Sequence, residues 1–159
     1  MNDDMARAAA DIPSGLFVVV VKDSKTNIID GFLASWVQQV SFEPLLVSIA
    51  MKPERNVHDL ISSGAIFSLN VVGEDKKDFM KYFWSGYEKD KNPFNHLSYK
   101  ESDEGAIILE DAKSVMVCRK NKILSPGDHS LVIAQIINSY EQNENVETFV
   151  HRRKKGLEY

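Results

Sequence analysis

The stretch that decides the fold class is Leu16-Phe17-Val18-Val19-Val20-Val21. Its apolar run is unbroken and rich in β-branched side chains, so it predicts a strand that is covered on both faces, as in the interior of a closed or nearly closed sheet. Turn-forming residues separate this run from other short apolar runs, which predict at least four further strands. They are residues 45–50, 65–72, 114–118 and 131–137, with weaker candidates at 29–33 and 147–150.

Apolar residues at helical spacing are few and predict three short helices. One helix follows Asn56, which is expected to cap its start, and ends at Gly64. A second begins near Glu74, and a third covers residues 3–10. Residues 87–105 have no sustained period and are expected to form a long surface excursion. The apolar stripe of the second helix is interpreted as core or dimer contact and consists of Phe79, Met80, Phe83 and Trp84.

Because strands dominate and do not alternate regularly with helices, we expect a mainly β fold. An antiparallel barrel with peripheral helices fits this order better than a doubly wound parallel fold. The 159 residues, 43% of them hydrophobic, are enough for a single domain over residues 1–159. Neither the Gly-x-Gly-x-x-Gly pattern nor a P-loop motif is present, so the sequence supports neither a Rossmann dinucleotide site nor a P-loop.

Charge and composition exclude several classes of protein. The 19 Lys and Arg residues against 23 Asp and Glu give a net charge of −4, which argues against a nucleic-acid partner. No apolar run approaches the roughly 20 residues that span a membrane, and the acidic N-terminus is unlike a secretory signal. The single Cys118 excludes an intrachain disulfide and is expected to be a buried structural thiol, and the scattered histidines predict no metal site. We therefore expect a cytoplasmic protein.

The segment between the predicted strands at 29–33 and 45–50 is the most informative one for function. It is crowded with small and hydrogen-bonding side chains, among them Ser35, Trp36 and Ser41. Periodicity alone leaves two interpretations open. The segment is either a polar edge connection with a core tryptophan, or a cradle in which hydroxyls and backbone N–H groups hold a phosphate and a heterocycle.

Four blocks of sequence carry a resemblance to a known family. They are Ile12-Pro13-Ser14-Gly15-Leu16-Phe17-Val18-Val19, Ala34-Ser35-Trp36-Val37-Gln38-Gln39-Val40-Ser41-Phe42-Glu43-Pro44-Leu45-Leu46-Val47, Phe67-Ser68-Leu69-Asn70-Val71 and Gly127-Asp128-His129. In this order they resemble the flavin reductase-like, FMN-binding split β-barrel family, from about residue 10 to the C-terminus. The Ala-Ser-Trp-Val version and the basic tail look most like the reductase modules of flavodiiron and rubredoxin-fused proteins. This chain has no di-iron domain and no rubredoxin cysteines, so such a partner is expected to be separate.

The resemblance implies a site for FMN, with FAD as the alternative. In the family the flavin phosphate and ribityl chain lie against the segment that matches residues 34–41 and against the loop after the next strand. The matching positions are Ala34, Ser35, Trp36, Val37, Gln38, Gln39, Ser41, Met51, Lys52, Arg55, Asn56 and Val57. Simpler interpretations stay open, with Lys52 and Arg55 as a solvated charged turn and Trp36 as a core residue.

The same resemblance extends to the candidate catalytic residue and to the assembly. The family histidine that matches His129 lies near the flavin and the nicotinamide, which implies an orienting or electrostatic role; the alternative is a turn histidine bonded to backbone. Family members are homodimers with the flavin near the subunit interface, so a homodimer is expected. The basic cluster at 151–155 is either a solvated terminus or a surface that borders the flavin site and attracts the phosphates of NAD(P)H or an acidic redox partner.

The expected function is that of an NAD(P)H-dependent flavin reductase, an oxidoreductase that transfers hydride from nicotinamide to flavin. A separate iron redox protein or an oxygenase is the expected downstream partner. Two alternatives remain open at this stage. One is an FMN-containing electron carrier to an iron protein, and the other is a flavin-free ligand-binding barrel that shares only the fold.

Overall fold

The structure is a computed structural model that describes residues 3–76, 78–83, 92–154 and 156. Its helices are α1 (Asp3–Ala10), α2 (Asn56–Ser62) and α3 (Asp78–Phe83), and a 3₁₀ turn covers Pro93–Asn95. Its strands are β1 (Ser14–Gly15), β2 (Phe17–Lys22), β3 (Ile29–Ala34), β4 (Val37–Ser41), β5 (Leu46–Met51), β6 (Phe67–Val71), β7 (Tyr99–Glu101), β8 (Ile107–Leu109), β9 (Ser114–Leu124), β10 (Ser130–Glu141) and β11 (Val150–His151). Trp84 of the predicted apolar stripe lies outside the described residues.

Seven strands form one antiparallel sheet in the order β3-β2-β6-β9-β10-β5-β4. Strand β3 also contacts β5, although four strands lie between them in this order, so the sheet is strongly curved. Two small antiparallel pairs, β1 with β11 and β7 with β8, accompany it. The prediction of a mainly antiparallel β fold with few helices is therefore confirmed.

The valine run of β2 is buried on both faces, as its unbroken apolar pattern predicts. Val18 and Val20 belong to one hydrophobic cluster together with Phe83 of α3. Val19 and Val21 belong to a second cluster, which also contains side chains from both β3 and β5. Because β3 and β5 approach each other, this second cluster fills the concave side of the sheet. The curvature thus gives β2 a hydrophobic environment on both sides.

A buried polar network connects the large sheet to the small β7–β8 pair. The Asn70 side-chain amide donates to the backbone oxygen of Val18 at 3.0 Å and to the Ser68 hydroxyl at 2.8 Å. Its Oδ1 accepts from the backbone N–H of Leu109 at 2.9 Å, and the Ser68 hydroxyl donates to the backbone oxygen of Ile107. Asn70 and Ser68 are fully buried. Because their partners Val18, Ile107 and Leu109 are also buried, these bonds fix how β8 lies on β6.

Helix α2 differs from the sequence prediction at its start and agrees with it at its end. The N-cap position is Arg55, and Asn56 is the first helical residue. Instead of capping the helix, the Asn56 side chain donates to Oδ2 of Asp30 at 3.1 Å. Gly64 follows the C-cap with φ +102° and donates its N–H to the backbone oxygen of Ile61. A residue without Cβ suits that left-handed conformation.

The predicted apolar stripe of α3 packs in the core where it is described. Phe79 and Phe83 are each 2% exposed, and Met80 packs against the same cluster. The predicted excursion at 87–105 lies at the surface over most of its described part, where only Pro93 and Phe94 are buried, but it is not irregular throughout. That part contains β7, and Phe94 is buried with its ring in edge contact with Phe83, at a centroid distance of 5.8 Å.

Strand β4 also departs from the sequence prediction, which treats residues 34–44 as a connection. It pairs with β5 through Val37 opposite Ile49 and Gln38 opposite Ser48, with an irregular register after Gln39. Its side chains are mostly exposed, so the apolar alternation that identifies a strand is missing. The pairing with β5, a long-range contact, is what makes this segment a strand.

Candidate functional site

A cleft lies where β3 leads into β4 and where β5 leads into the loop before α2. Its walls come from the ends of these strands, from the residue before β2, and from β11 near the C-terminus. The cleft has a volume of about 60 Å³. It is lined by Leu16, Phe32, Leu33, Ala34, Ser35, Trp36, Ala50, Met51, Lys52, Arg55 and His151.

Lys52 and Arg55 supply two positive charges at the cleft. Both belong to the loop between β5 and α2. The Arg55 guanidinium lies over the ring of Phe32, with Cζ 4.6 Å from the ring centroid, which is the geometry of a cation–π contact. Neither cation forms a salt bridge with a carboxylate of the described residues. Their charges therefore remain available to an anionic ligand.

Ser35 lies in the turn between β3 and β4 and is 7% exposed. The Ala50 N–H donates to the backbone oxygen of Trp36 at 3.0 Å, which holds this turn against β5. Among the residues that the structure describes, the Ser35 hydroxyl has no hydrogen-bond partner. Its oxygen is not fully enclosed, so a water molecule or a ligand in the cleft can reach it. Ser35 is thus a hydrogen-bonding group that a ligand in the cleft can use.

His129 does not line the cleft itself, but its ring packs against Trp36, which does. The two ring centroids are 5.0 Å apart and the ring planes are inclined by 55°. Nδ1 of His129 lies 3.1 Å from Oδ1 of Asp128. The interaction with His129, with a smaller contribution from the charge of Lys52, lowers the pKa of the Asp128 carboxyl. Asp128 therefore stays ionised at neutral pH and faces the imidazole as an anion.

The C-terminal tail folds back onto the cleft. Strand β11 pairs with β1, with His151 opposite Ser14, and this pairing places His151 in the cleft wall. Burial, and to a lesser extent the charge of Arg153, lower the pKa of His151. The Arg153 guanidinium lies over the Trp36 ring, with Cζ 5.1 Å from the centroid. Two residues of the basic cluster, His151 and Arg153, are thus packed at the cleft and are not fully solvated.

The structure brings together half of the cofactor-binding residues expected from the sequence. Those that line the cleft are Ala34, Ser35, Trp36, Met51, Lys52 and Arg55. Those that lie outside its lining are Val37, Gln38, Gln39, Ser41, Asn56 and Val57. Gln38 and Gln39 are exposed on β4, and Val57 is 2% exposed in the hydrophobic core. The roles of all twelve, and of His129, as flavin contacts stay predictions.

Sequence reasoning missed four lining residues, Leu16, Phe32, Leu33 and Ala50. It included a fifth, His151, only in the alternative that the basic cluster borders the flavin site. The first four are apolar residues of predicted strands or strand ends, where a core role is the ordinary interpretation. For His151 the basic run is the only local signal, and its place in the cleft depends on the pairing of β11 with β1. Residues brought in by long-range pairing cannot be identified from local pattern.

Other reactive side chains do not form a second centre. Burial raises the pKa of the Cys118 thiol to about 12, so this group is protonated at neutral pH, in agreement with the predicted buried structural thiol. Across residues 3–76, 78–83, 92–154 and 156, no group of His, Cys, Asp and Glu has the arrangement of a metal site. In the same part of the chain, no helix has both the length and the apolar character needed to cross a bilayer.

Comparison with known sequences identifies a family. The profile of the flavin reductase like domain matches residues 8–158. A putative diflavin flavoprotein of Nostoc sp. is 33% identical over 157 residues, which are 98% of this chain and 27% of that protein. The chain spans about a quarter of the length of the curated relatives that it matches.

Comparison with solved structures agrees with the fold. An NADH:FAD oxidoreductase of Streptomyces globisporus, solved with NAD and FAD fragments, superposes with a TM-score of 0.81 at 22% identity, over 92% of this chain and 85% of that one. An FMN-binding protein of Thermus thermophilus gives a TM-score of 0.77 at 20% identity, over 91% and 84% of the two chains. With a family profile that matches nearly its whole length, this chain belongs to the flavin reductase-like domain family.

Proposed function

We propose that this protein is a cytoplasmic, NAD(P)H-dependent flavin reductase that binds FMN and transfers hydride from nicotinamide to flavin. One observation carries the proposal: two cations and an accessible serine hydroxyl lie at one cleft with aromatic walls, and no side chain of the described residues pairs with them by a salt bridge or hydrogen bond. Membership in the flavin reductase-like family supports it, as does the name of the Streptomyces structure, an NADH:FAD oxidoreductase.

The polar end of the cleft fits a flavin phosphate. Lys52 and Arg55 offer positive charge, and Ser35 offers a hydroxyl that can donate to a phosphate oxygen. The cation–π contact with Phe32 restricts the guanidinium of Arg55 before any ligand arrives. In this proposal Lys52, Arg55 and Ser35 bind the phosphate and thereby orient the rest of the cofactor.

The apolar part of the cleft fits one edge of a planar ring system. Its walls include Leu16, Phe32 and Met51, all at most 4% exposed, together with the indole of Trp36. When bound, the flavin would supply the redox chemistry, and the protein needs only to hold it, exclude water and orient the nicotinamide. His129 beside Trp36 would orient the nicotinamide or stabilise charge near it, with Asp128 fixing the imidazole.

A homodimer is part of the proposal, and two observations support it. At about 60 Å³, the cleft of one chain is far below the roughly 300–1,000 Å³ typical of small-molecule sites, so a second surface is needed to cover a flavin. Strand β4 is an edge of the sheet, and the region around it exposes Val40, Phe42 and Leu45, with Phe42 88% exposed. An exposed apolar edge beside the cleft is a surface that a second copy can cover.

The similarity to diflavin flavoproteins favours a second candidate function. A diflavin flavoprotein of which this chain covers 27% suggests a module that passes electrons to another redox centre. In that case the chain is an FMN-containing electron carrier to a separate iron protein, and the same residues hold the cofactor. An oxygenase that consumes the reduced flavin is the corresponding partner under the reductase proposal.

The decisive experiment is the visible absorption spectrum of the purified protein, loaded with FMN or FAD, before and after anaerobic addition of NADH or NADPH. Loss of the oxidised flavin bands on addition of either nucleotide is the expected result. If neither nucleotide bleaches the flavin while a reduced iron–sulfur protein does, the electron carrier is the correct function. A colourless protein that also fails to bind added FMN and FAD contradicts both and indicates a flavin-free barrel.

A further inference from the structure

The guanidinium of Arg153 connects three parts of the protein that are distant in sequence. Its Nη2 donates to the backbone oxygen of Ala9 at 2.7 Å, near the end of α1. Its Nη1 donates to the backbone oxygen of Gly156 at 3.1 Å, farther along the tail. Its planar group also lies over the ring of Trp36, with Cζ 5.1 Å from the centroid. One side chain thus joins the N-terminal helix, the C-terminal tail and the cleft.

The tail and α1 are packed too closely for this arrangement to be a loose surface contact. A Cβ placed on Gly156 would lie 2.1 Å from the backbone oxygen of Ala6 and 2.9 Å from Cβ of Ala9. The tail backbone therefore contacts α1 directly, and only glycine fits at that position. The pairing of β11 with β1 holds the other end of the same segment. Arg153 lies between these two attachment points.

The geometry of Arg153 uses the shape of its side chain as well as its charge. The acceptors of its two hydrogen bonds are neutral backbone oxygens, and no carboxylate of the described residues forms a salt bridge with it. A planar guanidinium can donate to two acceptors at its rim and stack its face on an aromatic ring at the same time. The lysine ammonium is a point charge that cannot do both.

We propose that Arg153 is a positioning residue for the Trp36–His129 ring pair, and that through it the C-terminal tail and α1 control the orientation of these rings beside the cleft. Trp36 is 36% exposed, so the sheet alone does not enclose its ring. Because Trp36 also packs against His129, a change in the indole is passed to the imidazole. If His129 borders the nicotinamide, as the proposed function has it, Arg153 also affects nicotinamide binding. The positioning of the two rings does not depend on the proposed function.

The first test measures the ring pair in the flavin-free protein. The indole ring current shifts the His129 ring-proton resonances, which are identified by their loss in His129→Gln, and Trp36→Leu gives their position without the indole. Arg153→Gln and Arg153→Lys are both expected to move these resonances most of the way toward the Trp36→Leu position. Arg152→Gln removes the same charge from the exposed neighbouring residue and is expected to leave them unchanged.

Each result of this test supports or overturns the proposal. Unchanged His129 resonances in Arg153→Gln show that Arg153 does not position the rings. Wild-type resonances in Arg153→Lys, with a shift only in Arg153→Gln, show that charge is sufficient and that the planar guanidinium is not needed. If Arg153→Gln does not fold, the lysine variant decides, since it keeps the charge and the length of the side chain.

The second test concerns turnover. Arg153→Lys is expected to raise the KM for NAD(P)H by roughly twofold to fivefold, the factor that corresponds to a lost cation–π contact of about 0.5–1 kcal/mol, with a smaller change in FMN affinity. A changed His129 spectrum with an unchanged KM contradicts the control of nicotinamide binding and leaves the ring positioning intact. A protein that binds no flavin contradicts the proposed function, and the spectra of the flavin-free protein still test the positioning.

Discussion

The imidazole of His129 packs against the indole of Trp36, with ring centroids 5.0 Å apart and planes inclined by 55°. His129 follows the turn between β9 and β10, and Trp36 follows β3, so the contact joins two connections at one end of the sheet. The Asp128 carboxylate lies next to the imidazole of His129, and the guanidinium of Arg153 lies over the indole of Trp36. The pair marks where the proposed nicotinamide site borders the proposed flavin site.

Replacement of His129 tests the catalytic side of this arrangement. His129→Gln is expected to slow flavin reduction by NAD(P)H by roughly tenfold, equivalent to about 1.4 kcal/mol in the activation barrier, while FMN affinity changes little. Anaerobic stopped-flow absorbance measures the rate, and FMN titration measures the affinity. His96→Gln alters an exposed histidine that does not line the cleft and is the matched control. Equal reduction rates in His129→Gln and wild type would remove His129 from the mechanism.

Two serines of the predicted cradle provide a matched pair. Ser35 is buried in the cleft wall, whereas Ser41 does not line the cleft. Ser35→Ala is expected to weaken FMN binding by roughly tenfold or more, because a hydrogen bond to a charged group contributes about 1.5–3 kcal/mol. Ser41→Ala is expected to bind FMN like the wild type. Fluorescence titration with FMN distinguishes the two, and the reverse order of affinities would show that the phosphate lies nearer to β4.

The exposed apolar edge predicts a change in assembly when a charge is introduced there. Phe42→Asp is expected to shift the mass measured by light scattering from two chains to one, since a carboxylate in an apolar interface is strongly unfavourable. FMN affinity is expected to fall with the dimer, because the cleft of one chain is small. Ile28→Asp places the same charge at another exposed apolar residue and serves as the control. A wild-type protein of single-chain mass contradicts the dimer.

The buried amide of Asn70 predicts a large loss of stability on truncation. Asn70→Ala removes the partner of the Val18 oxygen and of the Leu109 N–H, both buried. The expected cost is about 2–4 kcal/mol in the free energy of unfolding, because each buried group left without a partner costs about 1–3 kcal/mol. Urea unfolding of the flavin-free protein measures it. Asn138→Ala, at an exposed asparagine of β10, is expected to cost less than about 0.5 kcal/mol.

The lowered pKa of His151 predicts a pH dependence with a definite sign. As the pH falls through about 6.5, the unfolded chain takes up a proton at this residue before the folded protein does, so stability is lost toward acid. Thermal unfolding of the wild type is therefore expected to lose more stability between pH about 7.5 and 5.5 than that of His151→Gln. Parallel pH profiles for the two proteins would show that His151 does not contribute.

Local pattern was sufficient for the parts of the fold that carry a periodic signal. The valine run of β2, helix α1, and the apolar stripe of α3 as far as Phe83 lie where the sequence predicts them. It was insufficient for β4, whose side chains are mostly exposed, and for β7, whose partner β8 comes later in the chain. Asn56 shows the same limit, because its bond to Asp30 depends on the packing of α2 on β3.

By itself, the sequence determined the class of fold and the residue types at the candidate site, since both depend on local pattern: unbroken β-branched runs, and serine, tryptophan and cations in adjacent segments. Only the tertiary structure decided which of these residues share a cleft. Lys52 and Arg55 line the same cleft as Ser35 because β5 ends beside the turn after β3. The pairing of β11 with β1 brings His151 into that cleft and Arg153 over the ring of Trp36. Such contacts follow from curvature and long-range strand pairing, which the burial of the whole core selects and which no single segment encodes.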